Sequence, residues 1–159
     1  MKRFTERFVI VVGHQKGGIG KTTVAVLLLK AALEQGYQAV LLDADPQSIA
    51  SDWRDIAVQR GLPAPPVQSV TLNELRPTLD KVAPGTLVIV DVPPAIGEIL
   101  TDALKLADLL LIPCAPEPAC RLALRKTLKL VQSVRSQKPR LQGRLLLNML
   151  SGHSMSKNA

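Results

Sequence analysis

Phe8-Val9-Ile10-Val11-Val12-Gly13-His14-Gln15-Lys16-Gly17-Gly18-Ile19-Gly20-Lys21-Thr22-Thr23 decides how the rest of this chain is read. Five apolar residues in a row predict a buried strand. The glycines after them predict a loop, and the pattern from Lys21 to about Gln35 predicts a helix stopped by Gly36. Strand, glycine-rich loop and helix in that order form the frame of a phosphate-binding loop. Gly17, Gly18 and Gly20 let the backbone close on phosphate oxygens with N–H groups pointing inward, and the helix adds the positive end of its dipole. The pattern G-x-x-x-x-G-K-[ST], anchored on Gly20-Lys21-Thr22, calls for glycine at position 15. Gln15 stands there, with a second lysine, Lys16, beside it.

Working outward, aliphatic runs alternate with helical patterns to the end of the chain. Strands are predicted at Val40–Leu42, Val67–Val70, Thr86–Val90, Leu109–Ile112 (stopped by Pro113) and Arg144–Asn148. Helices are predicted at Ile49–Arg60, at Leu72–Val82 with its start left open by Pro77, at Ile96–Leu106, and at Ala119–Gln137. Gly61–Pro66 reads as a loop and Ser151–Ala159 as a frayed polar tail, so 1–150 is taken as one domain and 151–159 as its tail. The alternation predicts an α/β fold, a doubly wound, mostly parallel sheet with helices on both faces. Such sheets bind ligands past the carboxyl ends of their strands, where Lys21, Asp43 and Asp91 fall.

Composition narrows the class. Of the 159 residues 47% are hydrophobic and only 3% aromatic, so aliphatic side chains must fill the core, as in buried parallel sheets. No run approaches the ~18 apolar residues of a membrane span, and the N-terminus lacks the form of a signal peptide. Two cysteines, Cys114 and Cys120, are too few for a disulfide framework, and a cytoplasmic protein is expected. The net charge of +7 is uneven: all 13 acids lie at or before Glu117, while 9 of the 20 Lys and Arg residues come after it. A block of one sign suggests an anionic partner.

Two acidic motifs complete the chemistry. Val40-Leu41-Leu42-Asp43-Ala44-Asp45-Pro46-Gln47 puts two carboxylates at a strand end, and Leu87-Val88-Ile89-Val90-Asp91-Val92-Pro93-Pro94 puts one at another. Lys21 can reach β- and γ-phosphates and Thr22 can ligate Mg²⁺. Carboxylates typically hold the waters of a nucleotide-bound Mg²⁺, and a further carboxylate can orient an attacking water. Each aspartate alone would equally fit a helix cap; with the loop they fit a nucleotide site.

These motifs, with Ala107-Asp108-Leu109-Leu110-Leu111-Ile112-Pro113 and Leu145-Leu146-Leu147-Asn148, resemble the ParA/MinD family of deviant Walker-type ATPases. The resemblance runs from about Phe8 to Asn148 and is strongest to ParA-type plasmid and chromosome partition ATPases. It implies a P-loop NTPase fold of the SIMIBI type, with ATP and Mg²⁺ bound. By resemblance, Gly17, Gly18, Ile19, Gly20, Lys21, Thr22 and Thr23 cradle the nucleotide and Asn148 reads its adenine. Lys16 is the signature lysine that crosses a dimer interface to the partner's ATP, and Lys21 is the in-chain phosphate lysine. Thr22, Asp43 and Asp91 attend the metal, and Asp45 positions the attacking water. Pro46-Gln47 and Pro93-Pro94 are the two switch loops. The resemblance further implies a nucleotide-dependent homodimer, slow hydrolysis stimulated by a ParB-like centromere-binding adaptor, and non-specific DNA binding that associates the protein with the nucleoid.

The chain also departs from the family. His14 replaces a common asparagine, with little consequence expected. Val92 replaces a frequent threonine and removes a hydroxyl near the metal, which predicts slower hydrolysis. Family members continue for several elements past the Asn148 strand, so part of the adenine pocket and the closing helices are expected to be missing. Two alternatives arise. One is a non-hydrolysing nucleotide-binding regulator or truncated family member. The other is a MinD-like membrane-positioning ATPase, which would want a C-terminal amphipathic helix that Ser151–Ala159 does not offer.

At helical spacing Arg121, Arg125 and Lys129 lie within about 80° of one another, opposite Ala123, Thr127, Val131 and Val134. They are the candidate contacts to DNA phosphates, weighed evenly against a solvated basic face. Cys114 and Cys120, at C-x₅-C spacing with no CxxC, read as buried thiols rather than as iron–sulfur ligands.

Overall fold

A computed structural model describes residues 5–94 and 98–149. The strands are β1 (Phe8–Val12), β2 (Ala39–Asp43), β3 (Val67–Ser69), β4 (Leu87–Asp91), β5 (Leu109–Cys114) and β6 (Gln142–Leu147). Between them run α1 (Lys21–Glu34), α2 (Ile49–Gln59), α3 (Leu72–Lys81), α4 (Glu98–Leu106) and α5 (Pro118–Arg135). The six strands form one sheet in the order β3-β2-β4-β1-β5-β6, and every pairing is parallel.

The apolar runs supply both faces of the sheet. Alternate residues of each strand point to opposite sides, so Ile10, Val12, Leu41 and Ile89 pack with Val24, Ala25 and Leu29 of α1. Val9, Val11, Val88, Val90 and Leu110 pack with Leu75 of α3, Leu104 of α4 and Val131 of α5. The central strands carry no polar alternation because neither face meets water. β1 lies between β4 and β5 in the sheet, and its carboxyl end delivers Gly13 and the glycine loop beside Asp91. Gly13 leaves that strand through a tight gap, where a Cβ would stand 2.8 Å from Leu100 Cδ1 and push that side chain aside.

One expectation shifts, one falls partly outside the described residues, and one start left open is fixed. The strand expected to stop at Pro113 runs on to Cys114. The cause is the pairing geometry. Leu111 turns its carbonyl to Gly13 on the β1 side, so Pro113, two residues on, faces that side as well. β1 has already ended there, so the N–H that proline lacks costs no ladder bond. The helix expected from Ile96 is seen from Glu98, because residues 95–97 are outside the described part, as is Ser151–Ala159. Pro77 does not delay α3, which starts at Leu72 behind a capping box in which Glu74 Oε2 accepts from the Thr71 N–H at 2.9 Å and from its hydroxyl at 2.7 Å.

Candidate nucleotide site

The glycine loop, the ends of β2 and β4 and the segment after β6 surround a cavity of about 440 Å³, lined by Gly18, Lys21, Thr22, Asp45, Pro94 and Met149 among others. Gly20 opens α1 with φ 82°, and a Cβ on it would lie 2.6 Å from Asn148 Nδ2. Both facts require glycine at this position. Asn148 donates through Nδ2 to the Ile19 carbonyl at 2.9 Å, and its own N–H bonds to the Cys114 carbonyl. The residue expected to read adenine therefore rests on the phosphate loop. Ile19 is buried against Cys114, Cys120 and Leu124, which anchors the loop to β5 and α5.

Lys21 is only 6% exposed. Its Nζ donates to the Lys16 carbonyl at 3.4 Å. Burial lowers its pKa, and Asp91 and Asp45 pull it back up. The ammonium is thus held under the loop with acidic groups nearby. Thr22 is half-buried in the first turn of α1, while Gly17, Gly18 and Thr23 are exposed.

Asp43 and Asp91 occupy paired positions on neighbouring strands, and the Ala44 N–H bonds to the Asp91 carbonyl. Their environments differ. Asp43 Oδ2 accepts from both the N–H and the hydroxyl of Ser51 at 3.0 Å, and Oδ1 accepts from the Asp45 N–H at 3.3 Å. This carboxylate ties β2 to the first turn of α2, whose N-cap Ser48 makes no side-chain cap. The capping role foreseen as an alternative is part of what Asp43 does. Asp91 is fully buried, and neither of its carboxylate oxygens has a hydrogen-bond partner. Burial raises its pKa to about 6, opposed by the neighbouring Thr22 hydroxyl and reinforced by Asp43. A buried carboxylate with both oxygens free is costly unless a cation or ordered water completes it. With the Thr22 hydroxyl and Lys21 acting on it at the loop, this donor set fits a hard cation such as Mg²⁺ with its waters.

Asp45, half-buried in the loop after β2, accepts the Gln47 N–H on Oδ1 at 3.0 Å and the Ser48 N–H on its backbone carbonyl at 2.8 Å. Lys16 Nζ pairs within its own chain with Glu117, the N-cap of α5. Val92 is fully buried in the apolar cluster with Leu100 and Leu110.

His14 is the residue that the sequence underrated. It is fully buried, and its Nδ1 accepts the Lys16 N–H at 2.9 Å, pinning the loop at the second lysine. Burial lowers its pKa, and the charges of Lys21 and Lys16 act in the same direction, so the ring stays neutral. With Nδ1 an acceptor, the proton sits on Nε2, which faces Cys120 Sγ at 3.8 Å. His14, Cys114 and Cys120 bring their donor atoms within 4.8 Å of one another. In this tautomer the ring has no lone pair left for a metal. The two cysteines are buried and free, their sulfurs 2.8 Å apart, and burial pushes the Cys114 thiol up to about 11.

On α5, Cys120, Thr127, Val131 and Val134 are buried and Arg121, Arg125 and Lys129 exposed, as the periodicity predicts. The outer surface is less purely basic than expected, since Leu122 and Leu128 are 63% and 45% exposed. Every residue of β6 is exposed as well, including Leu145 and Leu147.

Residues 10–158 match the CobQ/CobB/MinD/ParA nucleotide binding domain. The chain belongs to that family. It is 31% identical over 154 residues to the "Maintenance of carboxysome distribution protein A" of Halothiobacillus neapolitanus, covering 96% of this chain and 71% of the relative. It is 26% identical over 176 residues to the "Chromosome partitioning protein ParA" of Caulobacter vibrioides, covering 84% of this chain and 66% of the relative. It spans about half the length of several others. The fold is shared with cobyrinic acid a,c-diamide synthase of Mycobacterium smegmatis, solved with an ATP analogue and magnesium. The TM-score is 0.75 at 20% identity, over 93% of this chain and 76–77% of that one. Among the described residues no helix is long and apolar enough to cross a membrane.

Proposed function

We propose that this chain is a ParA-type ATPase that binds ATP with Mg²⁺, pairs with a second copy around the nucleotide, and hydrolyses it slowly as a switch that positions a cargo along DNA. The observation that carries the reading is the buried, unpartnered Asp91 carboxylate beside Thr22 and Lys21 at the end of a phosphate loop. Thr22, Asp43 and Asp91 would hold Mg²⁺ and its waters. When bound, the ion would supply positive charge that neutralises the phosphates.

The chain's own residues do the rest. Backbone N–H groups from Gly17 to Thr23 bind phosphate oxygens, and Lys21 places its charge at the β/γ end. Asp45 positions the attacking water once the Gln47 N–H releases its carboxylate, and Lys16 reaches the partner's nucleotide. Relatives named for chromosome partitioning and for carboxysome distribution support the positioning role. A stimulating adaptor and non-specific DNA binding complete the proposal, the latter through Arg121, Arg125 and Lys129.

The deciding experiment measures ATP hydrolysis with DNA present for the native chain and for Asp45→Ala. A native rate at least tenfold above the variant is expected. Equal rates sink the hydrolysis reading and leave a nucleotide-binding regulator. For the basic helix, DNA affinity is measured against salt with Arg121, Arg125 and Lys129 changed to alanine. Up to three phosphate contacts are lost, so the log–log salt slope should fall by roughly 3; an unchanged slope removes α5 from the interface.

A further inference from the structure

Lys16 is the loop residue whose proposed target lies in another molecule, and the structure gives it a target in its own. Its ammonium pairs with the Glu117 carboxylate, 101 residues away in sequence, with side-chain exposures of 28% and 54%. Both backbones are pinned. The Lys16 N–H is fixed on His14 Nδ1 and its carbonyl receives Lys21 Nζ. The Glu117 N–H bonds to the Ala115 carbonyl at 2.8 Å, and its own carbonyl receives the N–H groups of Cys120 and Arg121. Cys114 and Cys120, buried on either side, hold this stretch against Ile19 of the loop. Only the two long side chains are free to separate. Residues 118–159 hold no Asp or Glu, so none of them could replace Glu117.

We propose that Glu117 is a positioning residue that latches Lys16 to its own subunit until the nucleotide of a second copy of this chain competes for it. The inference rests on the reading of Lys16 given under Proposed function. The hydrogen bond to Glu117 favours the charged form of Lys16, so the latched lysine is kept ready as a cation. A triphosphate carries more negative charge than one carboxylate and outcompetes it. An exposed ion pair is weak, so the latch sets a threshold of a few fold and does not block pairing.

Two measurements on the full chain separate the latch from the reading beneath it. The first is the acylation rate of Lys16 by an amine-reactive ester, without nucleotide, followed by mass spectrometry of its peptide. Glu117→Gln should raise the rate about two- to fivefold, and Glu117→Asp, which keeps the charge, should raise it less. Equal rates in all three overturn the latch whatever Lys16 does elsewhere. The second is the protein concentration at half-dimerisation with a non-hydrolysable ATP analogue and Mg²⁺. Glu117→Gln should lower it about two- to fivefold, and Lys16→Ala should abolish that difference. A native chain that dimerises with the same midpoint as Glu117→Gln overturns the latch alone. A native chain that stays monomeric at every concentration overturns the dimer reading, and the latch's function with it.

Discussion

The ends of β2 and β4 carry the same residue at the same level of the sheet, yet the two carboxylates are in opposite states. Asp43 is well partnered: Ser51 gives it two hydrogen bonds and Asp45 a third, which leaves lone-pair capacity for a metal-bound water. Asp91 has none. The difference comes from the path of the chain beyond each strand. After β2 the chain turns back within eight residues to bring the first turn of α2 over Asp43. After β4, Asp91 instead lies beside the end of β1 and the glycine loop, where Thr22 and Lys21 at the start of α1 lower its pKa and Asp43 raises it. One aspartate therefore stabilises the fold outright, and the other is held at a cost. Buried groups kept at a cost mark functional sites, where a ligand repays them.

The largest expected effect breaks this comparison at Asp91. Its folded pKa, about 6, lies above the ordinary carboxylate value of 3.8. A raised pKa means the native state binds more protons than the unfolded one between those values, so stability from this group is full below pH 3.8 and is lost as pH rises through 6. The difference of about 2 pH units corresponds to about 3 kcal/mol. Asp91→Asn removes the charge and keeps the shape. Denaturant titrations of the nucleotide-free chain should show the native protein losing about 3 kcal/mol relative to the variant between about pH 4 and 7. Mg²⁺–nucleotide should then stabilise the native chain and fail to stabilise Asp91→Asn. Parallel stability curves across that pH range would show that Asp91 is not under strain.

This asymmetry could not be read from the sequence, although most of the frame could. The glycine loop, the order of strands and helices, the parallel sheet and the burial of α5 along Thr127, Val131 and Val134 are all set by local periodicity. They are legible because each apolar run is long enough to fix its own partner layer. The features that were missed depend on contacts between distant residues. Ser51 closes on Asp43, Glu117 closes on Lys16 from the far end of the chain, and His14 pins the loop while lying against Cys120. Pro113 is instructive in a different way. Proline is read as a strand breaker, and the reading fails here because only the neighbouring strand's end shows which side of β5 needs no donor.

A smaller effect sharpens the comparison, and it is a coupling between the two residues. Asp43→Asn keeps an acceptor for Ser51 but makes the bonds neutral, so a loss of about 1 kcal/mol is expected, opposite in sign to Asp91→Asn at neutral pH. The two substitutions should not add, because the charge of Asp43 is one of the causes that raise the Asp91 pKa. Removing it relieves Asp91, so in Asp43→Asn the pH at which the Asp91-dependent stability disappears should move down toward the ordinary carboxylate range. Burial, the larger cause, remains, so the midpoint should not return all the way. A double-mutant cycle run at about pH 4 and again at about pH 7 isolates this coupling: it should be present at the higher pH, where Asp91 is charged, and fade at the lower, where Asp91 is neutral. A coupling that is equal at both pH values would mean that the two aspartates communicate through packing rather than charge. The paired ends of β2 and β4 would then be two independent structural features, not one electrostatic site.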